Sequence, residues 1–368
     1  MKITQIEIRA CRTEQHALKA SEMRHSTIQE LHFLVVKMKT DEGLETASFG
    51  FASGSARGAA RIAADVLKPF FLGRDPHFRE QHWHDFRMAD RWWFHVPIYS
   101  YGPFDICCWL LAAQAAGLPL YKYLGAYRER VPIYASSLVL PQPEDYARQA
   151  LEVKTAGWAA YKPHPPGQLD TDLAAYALCR EAVGPDFPLM ADPVASYNFE
   201  QALKVGRRLE KLDYKWLEEP LYDVDWYNLK KLRAALDIPI CGTEVIAGNH
   251  YAAAQCIAEG VVDIVRTDVS WKSGITAVMK TAHLAESFGM QCELHTTIFH
   301  PLDLVNLHCC AAIKNCEYFE VLWPTEYFDF GLKTPIQIEN GCAVLPSRPG
   351  LGIELDWDFI ENCTVEIL

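Results

Sequence analysis

The chain has 368 residues, half of them hydrophobic and 22% charged, an ordinary globular composition and long enough for one large core plus a smaller unit. Its formal net charge is −12 with no block of Lys and Arg, which argues against nucleic acid or an anionic membrane as a partner. No apolar run of about 18 residues could span a bilayer, the alternating start Met1-Lys2-Ile3-Thr4-Gln5-Ile6 lacks the apolar centre of a signal peptide, and the twelve cysteines include no CxxC pair, so the expectation is a cytoplasmic protein with reduced, mostly buried thiols.

Residues 1–125 read as an α+β unit. Alternation predicts strands at 3–8, 31–38 and 44–49, with a turn at 39–43. The polar segment 15–29 has no clear periodicity and carries Arg24 and His25, loop candidates for contact with a ligand. Helical patterns follow at 59–71 and 106–116, the second closed by Gly117-Leu118-Pro119.

From 126 to 328 the rhythm changes. Apolar, strand-like runs at 133–136, 159–164, 189–192, 214–218, 238–244, 263–268, 292–297 and 318–323 alternate with seven helical patterns. Such alternation implies a parallel sheet, and eight strands imply a (β/α)8 TIM barrel, in which polar residues at the C-terminal strand ends build the active site. A doubly wound open sheet is the alternative, although no glycine-rich phosphate loop follows any strand. The segment 329–368 shows short strands and turns at 335–341 and 351–355; too short to fold alone, it should pack back on the N-terminal part.

Three acidic residues each end an apolar run, and they are evenly spaced: Asp192, Glu218 and Glu244 follow one another at 26 residues. A strand and its return helix take about that length, a full βαβ unit being roughly 30 residues or more. The three carboxylates therefore emerge on one face of one sheet, where they would repel unless a cation held them. Oxygen-only ligands suit a hard ion such as Mg²⁺. Lys162 and His164, two apart on an extended chain, share a face at the end of the second strand. Asp268, His295 and Glu320 extend the series, so that 162, 192, 218, 244, 268, 295 and 320 are separated by 30, 26, 26, 24, 27 and 25 residues. Taken singly, a strand-end carboxylate is ordinarily a helix cap or surface charge, and Lys162 an ordinary rim lysine. Seven ionisable groups in register are not explained that way, because caps need not recur in successive units.

This order of motifs resembles the enolase superfamily, mandelate racemase subgroup, over nearly the whole chain. Leu217-Glu218-Glu219-Pro220 matches the strand-four motif whose first glutamate is a metal ligand, and Pro349-Gly350-Leu351-Gly352-Ile353 resembles the closing motif. The resemblance implies a capping domain made from both chain ends, a modified (β/α)7β barrel and a homo-oligomer. It further implies Mg²⁺ on Asp192, Glu218 and Glu244, an Asp268–His295 dyad, and Glu320 as the strand-eight acid, donating a hydrogen bond toward an enediolate oxygen. One departure stands out: the subgroup's commonest strand-two motif is Lys-x-Lys, and here the second position is His164.

The expected chemistry is removal of the proton α to a carboxylate, with Mg²⁺ stabilising the enediolate. His295 is then the principal base, with Lys162 and His164 the opposing acid/base or electrostatic groups. Arg24, His25, Trp271 and Lys272, with His300, suit a small polyhydroxy carboxylate substrate. This favours dehydration of an acid sugar to a 2-keto-3-deoxy acid. The alternatives are a racemase, epimerase or cycloisomerase using both histidines, and a non-catalytic metal-stabilised barrel.

Overall fold

The structure, a computed structural model, describes residues 1–14, 30–52 and 54–368. Strands β1 (Ile3–Glu14), β2 (Glu30–Thr40) and β3 (Glu45–Phe51) form an antiparallel sheet, as their alternation requires. Residues 15–29, with the loop candidates Arg24 and His25, lie outside the described residues.

The barrel is closed. β4 (Arg130–Ser137) pairs in parallel with β5 (Ala160–Lys162), and β6 (Leu217–Glu218), β7 (Ile240–Gly242), β8 (Ile264–Thr267), β9 (Gln291–Leu294) and β10 (Phe319–Trp323) follow, β10 returning to β4. The third run is shorter than expected, making only the parallel bridges Leu189 to Tyr161 and Ala191 to Leu217. Pro188 and Pro193 flank it and have no N–H to donate. Seven helices connect the strands, and only a short 3₁₀ turn, Thr325–Tyr327, follows β10. The architecture is a (β/α)7β barrel with a capping sheet. The final segment divides between the two: β11 (Ile338–Glu339) and β12 (Cys342–Val344) form a hairpin laid on β4, while β13 (Thr364–Ile367) joins β1.

The helix Gly102–Ala115 unites the units because it is apolar on two sides. Phe104, Cys107, Cys108 and Leu111, at helical spacing, pack into the core of the cap; Ile106, Leu110 and Ala113 pack into the larger core with the barrel. Buried Asp105 on the same helix accepts from the Thr276 backbone N–H at 2.9 Å and its hydroxyl at 2.6 Å, satisfying the start of the barrel helix Ile275–Ser287. Gly274 precedes that helix at φ 88°, and a Cβ there would come within 2.7 Å of the Asp105 carboxylate. Eleven of the twelve thiols are buried and all are free. Among the described residues no helix is long and apolar enough to cross a membrane.

His308 locks a second junction. Its Nδ1 accepts from the Tyr121 N–H at 3.1 Å and its Nε2 donates to the Leu351 carbonyl at 2.9 Å, so one neutral tautomer satisfies both partners. Burial pushes its pKa down to about 4. A folded-state value below the unfolded one, about 6.5, gives stability that is present above that pH and lost as pH falls toward the folded value. His308 should thus contribute up to about 3 kcal/mol at neutral pH, vanishing between about pH 6.5 and pH 4. In urea unfolding, the stability gap between wild type and His308→Gln is expected to narrow from pH 7 to pH 5; a gap independent of pH would contradict this.

Candidate active site

The seven ionisable residues meet at the C-terminal mouth of the barrel. Lys162, the last residue of β5, is fully buried, and its Nζ lies 2.8 Å from Glu218 Oε1, 2.9 Å from Glu320 Oε1 and 3.3 Å from Asp192 Oδ2. Burial alone would lower its pKa, but the Glu218 and Glu320 charges outweigh it and hold the ammonium well above its ordinary value. Two residues on, His164 Nε2 lies 2.9 Å from the same Asp192 oxygen, so the shared face expected of Lys162 and His164 is realised. His164 Nδ1 donates to the Ser137 carbonyl at 2.7 Å.

Asp192 also accepts the Val194 N–H at 2.9 Å. Although burial raises its pKa, His164 and Lys162 pull it far below the usual carboxylate range. Glu218 is placed by the Trp216 indole N–H, 2.9 Å from Oε2. Glu219, left without a role by the sequence reading, accepts the Glu244 backbone N–H at 3.0 Å and so positions the next carboxylate. Burial, then the Glu244 charge, pushes the Glu219 pKa up to about 8. Val194, Ala195, Glu219 and Thr243 have φ of 50°, 53°, 38° and 84°, left-handed backbone in residues with side chains. Such strain persists only where surrounding contacts enforce it, and here it clusters beside the three carboxylates.

His295 stands between Asp268 and Glu244. Its Nδ1 is 3.4 Å from Asp268 Oδ2 and its Nε2 is 3.4 Å from Glu244 Oε1, ion-pair contacts longer than a good hydrogen bond. Asp268 is fixed by the N–H groups of Ser270 at 2.6 Å and Trp271 at 2.8 Å. Burial disfavours the imidazolium, but Glu244 and then Asp268 outweigh that and raise the His295 pKa to about 9.

Glu320, expected as an acid donating toward an oxyanion, faces donors on both oxygens in this structure. Here Lys162 lies at 2.9 Å from one oxygen, and Arg266 at 2.7 Å and the Thr296 N–H at 3.1 Å from the other. Burial would raise its pKa, but Lys162 and Arg266 hold it well below the usual range. Arg266 itself was missed. It is 1% exposed, yet its Nη2 also lies 2.9 Å from Glu218 Oε1 and 3.7 Å from Glu244 Oε2. The signal was available: Arg266 is two residues before Asp268 on a strand, as Trp216 is before Glu218, so each pair shares a face.

The rim candidates fare differently. Trp271 packs edge-on against Phe51 of the cap, ring centroids 4.3 Å apart, at the seam between cap and barrel. Lys272 is buried, and its ammonium donates to the Ile246 carbonyl; it is no open cation at the rim. His300 accepts the Ile336 N–H at 3.2 Å and is engaged by the C-terminal segment.

Five buried or nearly buried carboxylates, Asp192, Glu218, Glu244, Asp268 and Glu320, thus face two permanent cations, Lys162 and Arg266. That excess of negative charge and the all-oxygen donor set fit a hard divalent ion on Asp192, Glu218 and Glu244. Their oxygens are turned to Lys162, His164, Arg266 and His295, and among the described residues no three His, Cys, Asp or Glu side chains gather as a ready-made metal cage.

Comparison with known proteins gives the family. Residues 5–125 match the mandelate racemase / muconate lactonizing enzyme N-terminal domain, and residues 145–359 match the enolase C-terminal domain-like family. Arabinonate dehydratase of Saccharolobus solfataricus is 28% identical over 330 residues, covering 88% of each chain. N-succinyl-L-Arg/Lys racemase of Bacillus cereus is 25% identical, over 99% of this chain and 98% of the racemase. The crystal structure of D-glucarate dehydratase from Agrobacterium tumefaciens, complexed with magnesium, is 34% identical, covers both chains fully and superposes with a TM-score of 0.88. The capping sheet, the (β/α)7β barrel and these matches along both units make the chain a member of the enolase superfamily, mandelate racemase subgroup.

Proposed function

We propose that this protein is a Mg²⁺-dependent dehydratase of an acid sugar, an aldonic or aldaric acid, giving the 2-keto-3-deoxy acid. The observation that carries the reading is the placement of His295. It is backed by Asp268 on one side and faces the carboxylate cluster on the other. The dehydratases of arabinonate and D-glucarate among its relatives support the substrate class.

When bound, Mg²⁺ on Asp192, Glu218 and Glu244 supplies Lewis acidity toward the substrate carboxylate. The chain's own groups do the rest. Lys162 adds positive charge beside that carboxylate, and Glu320 holds Lys162 in place. With Glu244 engaged on the metal, the charge that most raises the His295 pKa is drawn off, and the neutral imidazole takes the proton from carbon 2, the imidazolium so formed being stabilised by Asp268. The C2–H electrons pass into the enediolate and then form the C2–C3 double bond as the C3–O bond breaks. His295 returns its proton to the departing hydroxide, which leaves as water, and the enol tautomerises to the ketone, carbon 3 gaining a proton.

The engagement of His164 favours elimination over racemisation. Its two ring nitrogens are held by Ser137 and Asp192, which leaves His295 as the one histidine in the role of base. A racemase needs a second base on the opposite face, and the similarity to N-succinyl-L-Arg/Lys racemase keeps that reading in view. We therefore assign His164 the positioning of Asp192.

Purified protein with Mg²⁺, assayed against arabinonate, gluconate, glucarate and galactarate, is expected to release a 2-keto acid from at least one of them. Epimerised acid without any keto product would favour the racemase or epimerase reading instead. His295→Asn should lower kcat by about a hundredfold or more, the scale of a lost general base, with KM little changed; wild-type turnover would remove His295 from this role. His164→Asn should loosen Mg²⁺ binding while turnover at saturating Mg²⁺ stays well above that of His295→Asn. Equal loss in the two variants would instead make His164 a second base.

A further inference from the structure

We infer that Arg266 is a built-in counter-ion of the metal site: it holds Glu218, Glu244 and Glu320 together before a divalent cation arrives and weakens the grip on that cation. The inference rests on the reading that Asp192, Glu218 and Glu244 bind such an ion. It adds a positioning residue whose charge opposes the ligand it helps to receive.

The geometry is specific. One guanidinium nitrogen, Nη2, is the point on which three carboxylates converge, Glu320 at 2.7 Å, Glu218 at 2.9 Å and Glu244 at 3.7 Å. The other, Nη1, donates to the Tyr134 hydroxyl and the Leu294 carbonyl, each at 3.3 Å, which pins the fork from below. Lys162 Nζ is the matching point for Asp192, Glu218 and Glu320. Glu218 Oε1 is shared, at 2.8 Å from Lys162 and 2.9 Å from Arg266. Between them the two cations touch all three proposed ligands.

A role as simple filling of the barrel explains less. The layer beneath is already closed by Tyr134, Met190, Trp216 and Tyr318, and an uncharged side chain could complete it without burying an ion. Burying a guanidinium is unfavourable unless charges at close range compensate it, and here they are the carboxylates a cation would use. Any ion that takes Glu218 Oε1 must compete with Arg266 and then lie near a like charge in a poorly screened interior. Removing that charge while keeping the fold should therefore tighten metal binding, whereas structural damage would loosen it.

The test is Mn²⁺ binding to the metal-stripped full chain, read by calorimetry and by the paramagnetic resonance of free Mn²⁺, with folding checked by circular dichroism. Arg266→Gln is expected to bind Mn²⁺ about tenfold more tightly or better and to melt at a lower temperature than wild type without metal. Arg266→Lys, which keeps the charge, should return toward wild-type affinity. A folded Arg266→Gln with unchanged or weaker affinity overturns the inference. Should Arg266→Gln not fold without metal, the Arg266→Gln/Glu320→Gln variant, which removes one charge of each sign, decides. Affinity within about threefold of wild type supports the inference, and a change of about tenfold in either direction overturns it. Wild-type protein that binds no Mn²⁺ at millimolar concentration sinks the metal reading and this inference together; wild-type binding with an unaltered Arg266→Gln sinks this inference alone.

Discussion

Everything at the mouth of this barrel answers to the repulsion among five carboxylates held in one poorly solvated space. Such groups cannot all ionise side by side unless positive charge reaches them. The chain supplies part of it through Lys162 and Arg266, which share Glu218 Oε1 and both reach Glu320. Lys162 and Arg266 hold the Glu320 pKa down despite burial, and His164 with Lys162 does the same for Asp192. The remaining negative charge is what would favour a divalent cation at this site. The left-handed backbone at Val194, Ala195, Glu219 and Thr243 belongs to the same problem, because ordinary strand-to-helix turns would not hold the side chains so close.

The cap closes over this mouth through a few buried polar bonds. Asp105 satisfies the first turn of the helix at Ile275 from across the domain boundary, and the Ser273 hydroxyl donates to the Ile98 carbonyl at 2.5 Å. The loop between β8 and that helix, with Trp271 and Lys272, is thereby fixed from both sides. Trp271 meets Phe51 of the cap, so an apolar wall stands beside the charged cluster. Excluding water there strengthens each electrostatic contact that the chemistry uses.

Much of this was legible in the sequence. The barrel followed from the alternation of apolar runs with helical patterns, and the site followed from ionisable residues that recur once per unit. Lys162, Asp192, Glu218, Glu244, Asp268, His295 and Glu320 do meet. What the sequence hid was the state of the groups. The partners of Glu320, Lys162 and Arg266, come from other strands and leave no mark near residue 320 in the sequence. Arg266 lies inside its strand and not at the end, although the two-residue alternation puts 266 and 268 on one face. Lys272 looked like a free rim charge, but the Ile246 carbonyl holds it, a contact 26 residues away along the chain. The third strand shrank to two bridges between prolines. Arg24 and His25 stand outside the described residues.

Proton NMR of the aldonic and aldaric acids, incubated with the protein and Mg²⁺ in D₂O, shows whether this cluster breaks the bond between hydrogen and the carbon next to a carboxylate. For at least one acid the carbon-2 hydrogen is expected to pass to solvent, and the keto acid formed to carry solvent deuterium at carbon 3. A keto product in which the original hydrogen has moved intact from carbon 2 to carbon 3, or no loss of that hydrogen from any acid, would contradict this expectation.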